Sequence, residues 1–129
     1  MCIRDRLCIS YNPHYQSALK DLKHSTRQRF ISVEFDYPPA DVEAEIVQNE
    51  SGCTSDQAEA LAKLGEKVRN LREHGLQEGA STRLLIYAGR LMSQGIKPRR
   101  ACQVAIVWTL TDEAELQRSV EEVVTSIFE

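Results

Sequence analysis

The chain has 129 residues, of which 42% are hydrophobic and 6% aromatic, and its net charge at neutral pH is −3. This length suits one domain or a part of a larger protein, and the weak acidic balance argues against general binding of nucleic acid or of an anionic membrane. No apolar run approaches the roughly 20 residues of a membrane span. The charged start and the four cysteines, none at metal-site spacing, lead us to expect a cytoplasmic protein with free thiols and no metal site of its own.

The first part of the chain predicts a small α/β piece. Leu7–Ser10 is a short apolar strand stub, and we interpret residues 1–6 before it as foreign or as a truncated start. Ser17–Lys23 predicts a short helix, and the alternation of apolar and polar residues over Ile31–Phe35 predicts a half-buried strand. We expect this strand to lie parallel to the stub because a helix-containing crossover joins them. Two strands are too few for a sheet, so the piece is predicted to be the edge of a larger one.

From Pro38 onward the pattern predicts a bundle of four or five helices. Leu61, Leu64, Val68 and Leu71 recur at spacings of three and four, which marks one face of a helix. The first predicted helix runs from Pro39 to about Glu50 and is closed by Gly52, and the second begins with a capping box of Thr54 and Gln57 and ends at Gly75. The third runs from Ser81 to Gly95, and the fourth begins at Pro98. The last is capped by Asp112 and Glu115.

Four polar side chains are candidates for a functional site, each with a structural alternative. Asn12 follows a strand end, where ligands bind in open α/β sheets, although Asn-Pro also forms simple turns. Arg27 and Arg29 precede the predicted strand, either as surface charge or as guanidiniums offered to a phosphate across an interface. Arg83 falls in the first turn of its helix, where the helix dipole opposes a cation. This small penalty hints at a role beyond packing.

Four segments in this order, "SYNP", "STRQRF", "EFDYPP" and "EGASTRLLIYAGRL", resemble the MoxR-type AAA+ ATPases. The branch most similar is CbbQ/NirQ/NorQ, with the gas-vesicle protein GvpN as a cousin, and the resemblance covers about Ile9 to the C-terminus. It implies the edge of a P-loop AAA+ α/β sheet followed by an all-α helical lid, in a predominantly helical chain. Residues 1–37 would belong to the nucleotide-binding core and residues 38–129 to the lid.

The same resemblance implies roles for the candidate residues. Asn12 would be sensor 1, which positions the hydrolytic water. Arg29 would be the arginine finger, with Arg27 as a possible second, and Arg83 would be sensor 2, which contacts the nucleotide from the lid. The intact protein would use ATP and Mg²⁺ and form a homo-oligomeric ring, a hexamer. Its partners would be a von Willebrand factor A-domain adaptor and a metalloenzyme client such as nitric oxide reductase or RuBisCO.

The sequence departs from the family in one major respect. It contains no G-x-x-x-x-G-K-[ST] and no acidic cluster after an apolar run, so the phosphate cradle and the Mg²⁺ ligands are missing from it. We therefore expect no ATP hydrolysis by this chain alone. Two alternatives remain: a helical DNA-binding or protein-interaction module, in which "GIKPRRACQVAI" would form part of a helix-turn-helix, and an AAA-like scaffold without a nucleotide role.

Overall fold

The structure is a computed structural model that describes residues 6–11, 23–76 and 78–129, without the side chains of residues 73 and 74. The chain divides into two compact units, Met1–Phe35 and Asp36–Glu129.

The described part of the first unit contains one short helix, α1 (His24–Arg27). The strand predicted over Ile31–Phe35 is not formed, since the backbone from 31 to 39 has no regular secondary structure and no strand occurs in the described residues. A strand requires a neighbour that pairs with its backbone, and Ile31 and Phe35 are 95% and 90% exposed. The sheet edge therefore stays a prediction. The predicted helix Ser17–Lys23 lies outside the described residues apart from Lys23.

The second unit is helical, as predicted. Its α-helices are α2 (Ala40–Ser51), α3 (Ser55–Asn70), α4 (Thr82–Ser93), α5 (Pro98–Cys102), α6 (Trp108–Leu110) and α7 (Ala114–Ile127). A 3₁₀ turn, Leu71–His74, follows α3, and a π-helical segment, Gln103–Val107, joins α5 to α6.

Most of the predicted helix ends are confirmed because they rest on local chemistry. Gly52 ends α2 with a φ of 73°, and Gly95 follows α4 with a φ of 91°, both in the left-handed region that glycine tolerates best. The capping box is present: the Gln57 N–H donates to Thr54 Oγ1 at 3.3 Å, and the Thr54 N–H donates to Gln57 Oε1 at 3.2 Å. Pro98 is the first residue of α5.

The predicted start of α7 is wrong in detail. The residue that caps the helix is Glu113 rather than Asp112, and its side chain makes no capping hydrogen bond. Instead, Thr111 Oγ1 accepts a hydrogen bond from the Glu113 N–H at 3.1 Å. The sequence pattern predicted that a carboxylate would accept a hydrogen bond at this helix start, but the acceptor is the Thr111 hydroxyl.

The core lies between the helices of the second unit. The predicted apolar face of α3 is confirmed, because Leu61, Leu64 and Val68 are fully buried and Leu71 packs against them. The other large members of the core that are fully buried are Val47, Leu85, Ile106, Val107 and Val120.

Close packing brings α4 against both α2 and α3. A Cβ added at Gly65 would lie 2.8 Å from Leu85 Cδ1, and one at Gly89 would lie 2.6 Å from Ser51 Oγ. The glycines therefore let α4 lie closer to α2 and α3 than it could if either position carried a side chain.

Candidate functional site

Arg83 lies at the start of α4 and points its charge to solvent. Ser81 occupies the N-cap position, so Arg83 falls in the first helical turn as predicted. The Arg83 side chain is exposed, and within the described part of the chain it has neither an ion pair nor a hydrogen bond. A guanidinium in this position can bind a phosphate without first breaking an internal contact.

A buried ion pair lies next to the start of α4. Glu43, on α2, is 1% exposed, and the Arg69 side chain, on α3, is 12% exposed. The guanidinium of Arg69 donates to both carboxylate oxygens, from NH2 to Oε1 at 2.6 Å and from NH1 to Oε2 at 2.8 Å. Thr82, the first residue of α4, donates its hydroxyl to Glu43 Oε1 at 2.7 Å. We call Glu43, Arg69 and Thr82 the anchor cluster.

Arg69 also fixes the segment that leads into α4. Its Nε–H donates to the Ala80 carbonyl at 2.9 Å. Its guanidinium carbon lies 3.7 Å from the centre of the Tyr37 ring, a cation–π distance. Gly79 lies so close that an added Cβ would be 2.8 Å from Arg69 Cγ. The Arg69 side chain therefore contacts both Gly79 and Ala80, the residues that lead into α4.

Sequence reasoning missed the anchor cluster. Glu43 stands among the acidic residues of the first turn of α2, where a helix dipole is enough to explain an acid. A better signal was available in its spacing, because Glu43, Val47 and Ser51 are buried at intervals of four. A carboxylate on an apolar helix face predicts a buried cationic partner. Nothing local, however, identifies Arg69 as that partner.

In the first unit, Arg27 is the last residue of α1, and Arg29 follows two residues later. Backbone hydrogen bonds shape this end, from the Arg29 N–H to the Thr26 carbonyl and from the Phe30 N–H to the Arg27 carbonyl, both at 3.1 Å. Both arginine side chains are exposed, and neither has a partner among the residues described. Phe30, which follows them, is 38% exposed. Asn12 lies outside the described residues.

The basic segment Lys97–Arg100, which belongs to the possible helix-turn-helix, makes internal contacts. The Arg99 Nε–H donates to the Phe128 carbonyl at 2.6 Å. Arg100 donates to Gln103 Oε1 at 2.6 Å and lies 4.9 Å from the centre of the Trp108 ring. Because the chain itself engages both guanidiniums, the segment is a poor DNA-recognition element.

The described residues contain no group of three or more metal-binding side chains. Of the cysteines in this part of the chain, Cys102 is fully buried, and burial raises the pKa of its thiol from 9.0 to about 12. A thiol in that state is a poor nucleophile and a poor ligand. Among the same residues, no helix combines the length and the apolar character that crossing a bilayer requires.

Comparison with known proteins decides the family. The family described as CbbQ/NirQ/NorQ C-terminal matches residues 43–127. The chain belongs to the CbbQ/NirQ/NorQ family of MoxR-type AAA+ proteins. It is 47% identical over 123 residues to Protein CbbQ of Hydrogenophilus thermoluteolus, covering 95% of this chain and 46% of that protein. It is 49% identical over 118 residues to the denitrification regulatory protein NirQ of Pseudomonas aeruginosa, covering 92% and 45%.

A third CbbQ/NirQ/NorQ relative, Protein NorQ of Paracoccus denitrificans, is 46% identical over 122 residues, or 95% of this chain and 45% of that protein. The chain thus spans somewhat less than half the length of the curated relatives that it matches. The family match includes the anchor cluster and Arg83, whereas Asn12, Arg27 and Arg29 precede it.

Proposed function

We propose that this chain is the lid-bearing part of a ring-forming ATPase, a hexamer, which uses ATP hydrolysis to remodel or activate a metalloenzyme. The observation that carries the proposal is Arg83. It is an exposed, unpaired guanidinium within the described residues, on a helix start that buried contacts hold. Membership of an AAA+ family makes a nucleotide phosphate the expected ligand of this guanidinium.

In the proposed ring, the arginines of the two units act on one nucleotide from different subunits. Arg83 contacts the phosphates in cis, from the lid, and Asn12 positions the attacking water. Arg29, or in its place Arg27, reaches the nucleotide of the neighbouring subunit. Phosphoryl transfer develops charge on the equatorial oxygens, and a fixed guanidinium stabilises that charge. The phosphate cradle and the Mg²⁺ ligands are supplied by residues that this chain does not contain.

The partners we propose are a von Willebrand factor A-domain adaptor and a metalloenzyme client such as nitric oxide reductase or RuBisCO. The name of the Pseudomonas aeruginosa relative, a denitrification regulatory protein, favours a client from denitrification for that relative. The chain is about as similar to the CbbQ relative, at 47% identity, as to this one, at 49%, so the proposal for this chain keeps both kinds of client.

Replacing single arginines in the intact protein separates binding from turnover. Arg83→Ala should weaken ATP binding as well as hydrolysis. Arg29→Ala should leave ATP binding nearly unchanged and reduce turnover on the order of 10³-fold, as trans arginine fingers do in related systems. Arg118→Ala is the matched control, because Arg118 is also exposed but lies on α7. Equal effects of the three substitutions would contradict the proposal.

Mixing subunits tests the trans assignment. Arg29→Ala subunits and subunits that lack the phosphate-binding lysine of the cradle should each be inactive alone. Mixed rings should regain some turnover where an intact arginine faces an intact pocket. If subunit exchange is demonstrated and no activity returns, Arg29 is not the finger, and Arg27 is the next residue to replace.

A further inference from the structure

The anchor cluster has a more sharply defined geometry than stability alone requires. A buried ion pair loses much of its electrostatic gain to desolvation, and pairs of apolar residues often stabilise a fold equally well. Here Glu43 accepts three hydrogen bonds, two from Arg69 and one from Thr82, each between 2.6 and 2.8 Å. Such geometry defines an orientation better than an apolar contact would.

The orientation that it defines is that of the first turn of α4. Ser81 occupies the N-cap position but makes no side-chain capping bond. Hydrogen bonds to the residues before and after Ser81 hold the start of the helix instead. The Ala80 carbonyl accepts from Arg69 Nε at 2.9 Å, and the Thr82 hydroxyl donates to Glu43. The next residue is Arg83.

We propose that Glu43, Arg69 and Thr82 are positioning residues for Arg83: the anchor cluster fixes the first turn of α4, and so fixes the backbone from which the Arg83 side chain reaches the nucleotide. The proposal deepens the function proposed above and rests on it for the identity of the ligand. A turn that is already fixed loses less conformational freedom when the nucleotide binds. The cluster itself does not touch the nucleotide.

Thr82 offers the mildest test, because Thr82→Val keeps the shape of the side chain and removes only the hydroxyl. In the intact protein, Thr82→Val should weaken ATP binding by about 5- to 10-fold, the equivalent of one hydrogen bond. Thr82→Ser, which keeps the hydroxyl, should bind ATP as the unchanged protein does. Thr125→Val, at an exposed position on α7, is the matched control and should have no effect.

A double-mutant cycle distinguishes positioning from general stability. If Thr82 acts through Arg83, then Thr82→Val should have no further effect on ATP affinity once Arg83→Ala is present. Additive losses in the double variant would overturn the proposal, and so would unchanged affinity in Thr82→Val alone.

Hydrogen exchange on the 129-residue chain tests the same idea without nucleotide. Thr82→Val should speed exchange of the Leu84 and Leu85 amides, which donate to the Ser81 carbonyl in the first turn of α4, by about 10-fold and leave the amides of α7 unchanged. If Arg83→Ala proves to have no effect on ATP affinity, the sensor assignment fails, but the exchange result still decides whether the cluster holds this turn. Unchanged exchange in the first turn of α4 would overturn the positioning proposal, whatever the nucleotide result.

Discussion

Glu43→Gln isolates the charge in the anchor cluster. The substitution keeps the volume of the side chain and one carbonyl oxygen, but it leaves the guanidinium of Arg69 opposite an uncharged amide. Arg69 retains its bond to the Ala80 carbonyl and its place over the Tyr37 ring. What it loses is the paired anion that accepted from both of its terminal nitrogens at 2.6 and 2.8 Å.

The expected cost follows from how deeply the pair is buried. Removing one partner of a buried pair typically destabilises a protein by about 3–5 kcal/mol, since it leaves an uncompensated charge. Glu43 is 1% exposed, but the Arg69 side chain is 12% exposed and keeps some contact with water. We therefore expect the lower end, about 3 kcal/mol. For a helical unit of this size, that corresponds to a fall in Tm of roughly 12–24 °C.

Thermal and urea unfolding of the chain, followed by circular dichroism, measure this effect. Glu45→Gln is the matched control, since Glu45 lies on the same helix and is exposed, and it should change stability by less than about 0.5 kcal/mol. The double replacement Glu43→Leu with Arg69→Met should recover much of the lost stability, because it removes both charges. Equal effects of Glu43→Gln and Glu45→Gln would refute the reasoning, since the buried pair would then be energetically equivalent to a surface carboxylate.

Two further predictions concern the core. Gly89→Ala should lower the free energy of unfolding by about 1–3 kcal/mol, because the new Cβ would lie 2.8 Å from Ser51 Cβ. This loss should exceed the gain from the better helix propensity of alanine. An unchanged or higher Tm would show that α2 and α4 move apart freely. Cys102, whose pKa burial raises to about 12, should resist iodoacetamide at pH 8 in the folded chain while the exposed Cys8 reacts. Equal alkylation of the two cysteines would contradict the expected difference in reactivity. Because the fold favours the neutral thiol, the contribution of Cys102 to stability is complete below pH 9 and is lost as the pH rises towards 12.

Helix ends were predictable from the sequence where a few neighbouring residues determine them. Gly52 and Gly95 adopt left-handed angles because glycine has no Cβ to obstruct them, and Thr54 and Gln57 satisfy each other's backbone within one turn. The same logic failed at Asp112, where two adjacent acids and a threonine offered equivalent local solutions. Local rules therefore identify that a helix begins, and they resolve its cap only when one residue is clearly favoured.

The anchor cluster was not predictable in this way because its members are far apart in sequence. Arg69 lies 26 residues after Glu43, and Thr82 lies 39 residues after it. Each of the three has an ordinary local explanation as a first-turn acid, a basic residue near a helix end and a helix-starting threonine. Only the packing of α2, α3 and α4 against one another turns them into one contact.

The strand predicted over Ile31–Phe35 also depends on residues far away in the sequence. Alternation over Ile31, Val33 and Phe35 specifies which side chains belong on one face, but it does not specify what covers that face. In this structure those three side chains are 95%, 68% and 90% exposed, an arrangement that leaves a large apolar surface in water. Under the proposed function, the rest of the nucleotide-binding sheet would cover this surface. Arg29, two residues before Ile31, would then lie at a sheet end, where a guanidinium can reach a neighbouring subunit.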